Sequence, residues 1–225
     1  LRETNPSGGI LVVTESVFSM DGDRAPLRKM VRLKDEFGAL LLVDEAHGFG
    51  VLGEHGAGLG EELGVSSRID FQMGTLSKAA GLSGGYVACS RAWADVMVNS
   101  ARSLIYSTAP PPALAAAALA AVEVIRSAEG KELRRHVSVL ADMLSATLGM
   151  PGRPVSSIFP VVIGENGAAL EAAAALLERG FLAPAIRYPT VPRGTARLRI
   201  TVTAAHRTGQ IEQLGRELAE LLHGS

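Results

Sequence analysis

The stretch ALLLVDEAHGFG, residues 39–50, decides the fold. Residues 39–43 are an unbroken apolar run, the mark of a strand covered on both faces rather than one. The run ends in an acid, Asp44; His47 follows three residues later, and a glycine stands on each side of Phe49. Upstream, ILVVT at 10–14 has the same strand character. Between the two, SMDGDRAP supplies turn residues, and Pro26 suits the first turn of a helix carrying Leu27, Met30, Val31 and Leu33. Strand, helix and strand in this order predict an α/β fold with a mainly parallel sheet. In such sheets ligands bind beyond the carboxyl ends of the strands, where Asp44 and His47 lie.

Downstream, residues 69–73 and 85–89 read as two further strands, and APPPALAAAALAAVEVIRS at 109–127 as a helix of high intrinsic propensity. Leu133, Val137, Leu140, Leu144 and Leu148 then recur on one helical stripe. GMPGRPVSS at 149–157 breaks the pattern. The expected division is a large domain over 1–150 and a small α+β domain over 151–225. The latter has a strand at 158–163, a helix at 168–179 closed by Gly180, and a last helix carrying Ile211, Leu214, Leu218 and Leu221. ARLRITVT, 196–203, alternates: Leu198, Ile200 and Val202 on one face, Arg197, Arg199, Thr201 and Thr203 on the other.

Composition narrows the function. Lys and Arg number 22 against 23 Asp and Glu, with no long block of like charge, which argues against a nucleic-acid surface. The single cysteine, Cys89, excludes an internal disulfide framework and suits a reducing compartment, so the cytoplasm is expected. The longest apolar stretch is too short to span a bilayer, and no signal peptide is visible. The histidines, at 47, 55, 136, 206 and 223, lack metal-ligand spacing, so no metal is expected.

Lys78 carries the chemistry. It sits in GTLSKAAGLSGGY, 74–86, among residues too small to pack against it. A buried amine loses part of its preference for the charged form, and a neutral one condenses with aldehydes. Small neighbours leave room for a ring, while Thr75, Ser77 and glycine N–H groups suit a phosphate. Taken alone, Lys78 reads equally as a solvated lysine on a glycine loop, Asp44 as a turn former and His47 as a loop histidine. Together, Asp44 and Lys78 form the pair that pyridoxal phosphate requires: an amine for its aldehyde and an acid for its pyridine nitrogen. A nicotinamide site is the rival, but GFGVLGEHGAGLG does not open a helix after the first strand.

TESVFSMDGDRAPL, VDEAHGFGVLGEHGAG, GTLSKAAG followed by GGYVA, LIYSTAPPP, and YPTVPRGTARLRITVTAAH, in this order, resemble the α-oxoamine synthases, pyridoxal phosphate enzymes of fold type I. The resemblance runs over nearly the whole chain. It implies condensation of an amino acid with an acyl thioester, in most members with loss of carbon dioxide. Lys78 would then form the Schiff base, Asp44 would pair with the pyridinium, and His47 would bond the cofactor's phenolic oxygen with Ser19 on the same side. Thr75 would bind the phosphate, and Ser107 and Thr108 would reach a phosphate in the neighbouring subunit of a homodimer. Thr190 would contact substrate and Arg199 would hold the amino acid's carboxylate. Family members that use a pimeloyl thioester carry arginine at the position of Arg187, whose guanidinium suits that chain's far carboxylate, so the resemblance implies L-alanine and a pimeloyl thioester as substrates, on coenzyme A or an acyl carrier protein. A glycine-using synthase such as glycine C-acetyltransferase and a non-catalytic partner subunit are the alternatives. Against the family pattern the amino-terminal part is missing, with its glycine loop and ring-stacking histidine. The activity and dimerisation of these 225 residues alone are therefore in question.

Overall fold

The apolar runs become strands, each within about two residues of its expected position. In the computed structural model, which describes residues 8–150 and 156–223, β1 (Leu11–Glu15), α1 (Leu27–Glu36) and β2 (Leu40–Asp44) form the strand–helix–strand unit. The helix α2 (Leu59–Glu62) precedes β3 (Phe71–Thr75) and β4 (Gly85–Cys89). The sheet order is β1-β2-β3-β4, with the first two pairings parallel and the last antiparallel. This is the mainly parallel α/β architecture that the sequence implies. Asp44 lies at the carboxyl end of the central strand, opposite Glu15 on one side and Met73 on the other.

One face of this sheet is closed and the other is partly open. Leu41 and Val43 are fully buried, as are Leu27 and Val31 of α1. Asp70 ties the helix to the sheet, accepting from the Leu41 N–H at 2.8 Å and from Lys34 Nζ at 3.1 Å. On the Asp44 face, Leu11 and Val13 are half-exposed or more, so β1 is not covered on both faces as expected. None of the described residues packs over that part of the sheet closely enough to exclude water.

The next section, α3 (Arg91–Ser100), α4 (Arg102–Ile105) and α5 (Pro112–Arg126), buries little. Ser90 caps α3 by accepting from the Trp93 N–H. The alanine run of α5 is helical as predicted, yet Ile125 is its one buried residue. Alanine's propensity sustains a helix without a packed face. A long helix follows, α6 (Ala128–Thr147).

The chain separates into two units, Leu1–Val17 with Arg24–Lys131, and Phe18–Asp23 with Glu132–Ser225. The second holds β5 (Ile158–Gly164), α7 (Asn166–Glu178), β6 (Ala185–Ile186), β7 (Ala196–Thr201) and α8 (Thr208–His223). Its antiparallel sheet runs β5-β7-β6. Residues 132–150, grouped by the sequence with the first domain, belong to this unit. Leu140 and Leu144 of α6 are fully buried and share a core with Phe159, Leu176, Leu198 and Leu218. Side-chain partners, not the 149–157 turn residues, set the division; residues 151–155 of that turn lie outside the described residues. Leu133, at the head of the stripe, is 42% exposed because the unit begins only there.

Gly180 closes α7 as expected. At φ +86° it lets its own N–H reach Leu177 O at 2.9 Å and the Phe181 N–H reach Leu176 O at 2.8 Å, a Schellman turn. The alternation of β7 holds, but on its polar face Arg197 is buried, 6% exposed, where it pairs with Asp21. A buried guanidinium is tolerated here because a carboxylate meets it. Among the described residues no helix is long and apolar enough to cross a membrane.

Candidate active site

The first unit gathers three of the predicted residues at the carboxyl end of β2. Asp44 accepts from the Ala46 N–H through Oδ1 at 2.8 Å, and this local turn begins the loop leaving the strand. The N–H groups of Gly48 and Phe49 donate to Glu45 O at 2.9 and 2.7 Å, which curls the loop back and presents His47. Lys78 comes from the loop between β3 and β4. Its Nζ stands 3.2 Å from His47 Nε2.

A close backbone approach sets that distance. Gly50 has φ +75°, and a Cβ there would lie 2.3 Å from the Cβ of Ala79, next in sequence to Lys78. Glycine at 50 and alanine at 79 let the two loops touch, which carries lysine to histidine. The Lys78 loop is held by its own bonds: Leu76 N–H to Gly84 O at 2.9 Å, Leu82 N–H to Leu76 O at 2.8 Å and Gly81 N–H to Lys78 O at 3.1 Å. Thr75 Oγ1 lies 2.8 Å from Ser77 Oγ and donates to Gly84 O at 3.2 Å, so two hydroxyls stand together at the end of β3.

Lys78 is exposed, which corrects the expectation of an amine buried among small residues. The small neighbours do leave space, but the described residues do not close it: nothing stands within 4 Å of a Cβ built at Gly81. Beside the site, Tyr86 meets Phe49 edge-on, ring centroids 5.5 Å apart. Burial first, then the charges of Glu45 and Asp44, push its phenol up to about 12. It stays protonated beside the two acids.

Ser107 and Thr108 are exposed beyond α4, where Ser107 Oγ donates to Ser103 O. No hydrogen bond among the described residues ties either to Lys78, His47 or Asp44. The remaining predicted residues belong to the second unit. Arg199 donates through Nε to Ser19 O at 2.6 Å and through Nη1 to Thr201 Oγ1 at 3.1 Å, and burial pulls its guanidinium below its ordinary value. Arg187 and Thr190 are exposed in the loop between β6 and β7, where the Thr190 N–H donates to Arg187 O at 3.0 Å. On the same loop Arg193 stacks over Tyr188, 4.1 Å from the ring centroid.

Sequence reasoning passed over Glu45. It is 1% exposed, and its carboxyl oxygens accept from the N–H groups of Leu59 and Gly60 at 3.0 and 2.9 Å. The available signal was an acid placed between a buried strand and a glycine-rich run, where missing side chains make room for a carboxyl group. Glu61 plays the same part further on, accepting from the N–H groups of His55 and Ala57. Gly48, Gly53 and Gly58 therefore make room for the protein's own acids. This removes the physical basis for reading them as a dinucleotide loop.

The donor set suits pyridoxal phosphate: a reachable amine beside an imidazole, an acid on the same strand end as that imidazole, and clustered hydroxyls at the neighbouring strand end. The comparisons agree. A chain from Anaeromyxobacter dehalogenans called 8-amino-7-oxononanoate synthase is 50% identical over 216 residues, covering 94% of this chain and 54% of that relative. A Geobacter sulfurreducens chain of the same name is 46% identical over 225 residues, covering 98% and 58%. This chain thus spans little more than half the length of these curated relatives. Among solved structures, serine palmitoyltransferase of Sphingomonas wittichii superposes with TM-score 0.90 at 32% identity, over 97% of this chain and 56% of that one. The Francisella tularensis 8-amino-7-oxononanoate synthase gives 0.82 at 26%, over 96% and 64%. The pattern of one family, aminotransferase class I and II, matches residues 1–218, and the chain belongs to that family.

Proposed function

We propose that this chain forms part of an α-oxoamine synthase that condenses L-alanine with a pimeloyl thioester, releasing carbon dioxide and 8-amino-7-oxononanoate, a biotin precursor. The observation that carries this reading is the 3.2 Å approach of Lys78 Nζ to His47 Nε2 at the end of the strand bearing Asp44. The likeness to named synthases supports the choice of reaction.

Pyridoxal phosphate, when bound, supplies an electron sink for charge at the amino acid's α-carbon. Lys78 would hold the cofactor's aldehyde through Nζ, and the same amine, once released from the aldehyde by the substrate's own amine, would take and return a proton. His47 would orient that amine and bond the phenolic oxygen, a task Ser19 would share. Asp44 would keep the pyridine nitrogen protonated, a role an amide would not fill. Thr75 binds the phosphate. Arg199 pairs with the alanine carboxylate, Thr190 contacts substrate, and Arg187 meets the far carboxylate of the acyl chain. Shielding of Lys78 from water falls to the part of the whole enzyme that these 225 residues do not span.

The enzyme is proposed to be a cytoplasmic homodimer, Ser107 and Thr108 reaching the neighbouring subunit's phosphate. The exposed Leu104, Ile105 and Tyr106 beside them supply apolar surface for such a contact. The thioester carrier is coenzyme A or an acyl carrier protein.

Substituting Lys78→Ala in the whole enzyme should abolish product formation and borohydride trapping of the cofactor. Turnover that survives overturns the assignment. Assays with alanine and pimeloyl thioester, against glycine and acetyl thioester, separate this reaction from a glycine C-acetyltransferase. A whole protein that stays colourless with pyridoxal phosphate would instead be a non-catalytic subunit.

A further inference from the structure

Asp44 and His47 sit on a loop whose shape is imposed from beneath. Glu45, between them, points away into the protein and is almost wholly buried. Its two carboxyl oxygens are each engaged, Oε2 by the Leu59 N–H at 3.0 Å and Oε1 by the Gly60 N–H at 2.9 Å. Its carbonyl receives the N–H groups of Gly48 and Phe49, so both side chain and backbone of Glu45 shape the turn. The surroundings are cut to its shape. A Cβ at Gly48 would lie 2.1 Å from Glu45 Oε2 and 2.9 Å from the Oγ of the fully buried Ser16. A Cβ at Gly58, where φ is +109°, would lie 2.3 Å from the carboxyl carbon.

We infer that Glu45 is a positioning residue, the anchor that holds Asp44 and His47 in register with Lys78 by fastening their loop to the backbone of residues 59 and 60. It touches neither substrate nor cofactor. Both oxygens accept from backbone N–H groups, so an amide at this position satisfies one donor and turns its own NH₂ against the other. Glu45→Gln therefore keeps the volume and breaks the anchor. The consequence for pyridoxal phosphate rests on the function proposed above; the consequence for His47 does not.

The test compares Glu45→Gln with Val31→Ala, a core truncation in α1 of the same unit, in the whole enzyme. Four quantities are read: thermal midpoint, the pH midpoint of the His47 imidazole and amide exchange at Leu59 and Gly60, both by NMR, and affinity for pyridoxal phosphate by visible absorbance. Val31→Ala should lower the thermal midpoint and leave the other three unchanged. Glu45→Gln should move the His47 midpoint, speed amide exchange at Leu59 and Gly60, and weaken cofactor binding about tenfold, the scale of one broken charged hydrogen bond. Gly58→Ala, which pushes on the same carboxyl group, should reproduce these changes. A Glu45→Gln chain that loses stability as Val31→Ala does, with His47 and cofactor affinity at their unsubstituted values, overturns the inference. So does one that cannot fold, since Glu45 would then be a residue of the fold and not of the site. If the unsubstituted whole enzyme binds no cofactor, the proposed function is what fails, and the His47 comparison still decides the role of Glu45.

Discussion

Two glycine-rich loops of similar composition do opposite work in the first unit. In the loop after β2, glycines make room for groups that press close: Gly48 and Gly58 for the buried carboxyl of Glu45, Gly53 for that of Glu61, and Gly50 for Ala79. In the loop before β4, Gly81 meets nothing within 4 Å, and Gly84 only the tip of Leu76 at 3.8 Å. The first loop is framework, and its glycines are spatial necessities. The second is open, and its small residues keep the Lys78 amine accessible. Glycine content alone says that backbone comes close to something. What it comes close to separates a scaffold from a site.

The contrast breaks if substitution costs the same in both loops. The largest effect is expected at Gly58→Ala, where a left-handed backbone and overlap with Glu45 act together, about 3 kcal/mol by urea unfolding. Gly53→Ala, at φ +86° with a Cβ 2.2 Å from Glu61 Oε2, should cost about 2 kcal/mol, because the end of a glutamate can retreat partway. Gly81→Ala should cost only about 1 kcal/mol, the backbone strain alone, since φ is +67° and the space is empty. A Gly81→Ala cost equal to that of Gly58→Ala would erase the distinction between the loops.

Acid sharpens the same comparison. Burial works to raise the Glu61 carboxyl, but the Ala57 N–H and the His55 contacts outweigh it and hold the group below its ordinary 4.5. A carboxyl depressed in the folded state contributes stability that is complete above its unfolded value and is lost as pH falls through the folded one. Amide exchange at His55 and Ala57 should therefore accelerate below about pH 4.5. The Glu61→Gln chain should lose most of that pH dependence. The smallest effect is expected at Ser77→Ala, within about 0.5 kcal/mol, because the residue is exposed and its hydroxyl bonds only locally. Its mark would be on phosphate affinity instead.

Much of the fold was legible because its signals are local. The run at 39–43 reads as a buried strand from five residues, and Gly180 reads as a helix end from its place after one. Arg199 was assigned to the polar face of β7 by alternation, and it does turn from the core toward Ser19 O. The same alternation gave no sign that Arg197 is buried on that polar face, because periodicity records side-chain direction and not whether a carboxylate such as Asp21 waits there. The compact units divide at Glu132 and not within 149–157 for a related reason. Turn residues at 149–157 are visible in sequence, whereas the partners of Leu140 and Leu144 lie some distance along the chain, on β5, β7 and α8.

For the site, the sequence by itself determined the chemistry: one amine at 78, one acid at 44 and one imidazole at 47 are properties of residue type, and their order along strand ends follows from local hydrophobic runs. Only the tertiary structure decided that lysine and histidine meet, that the amine is open to solvent in this chain, and that Glu45 is fastened to the backbone of residues 59 and 60. Those facts depend on how closely backbones approach, at Gly50 against Ala79 and at Gly58 against Glu45. Such contacts join residues distant along the chain, and no local pattern encodes the space between them.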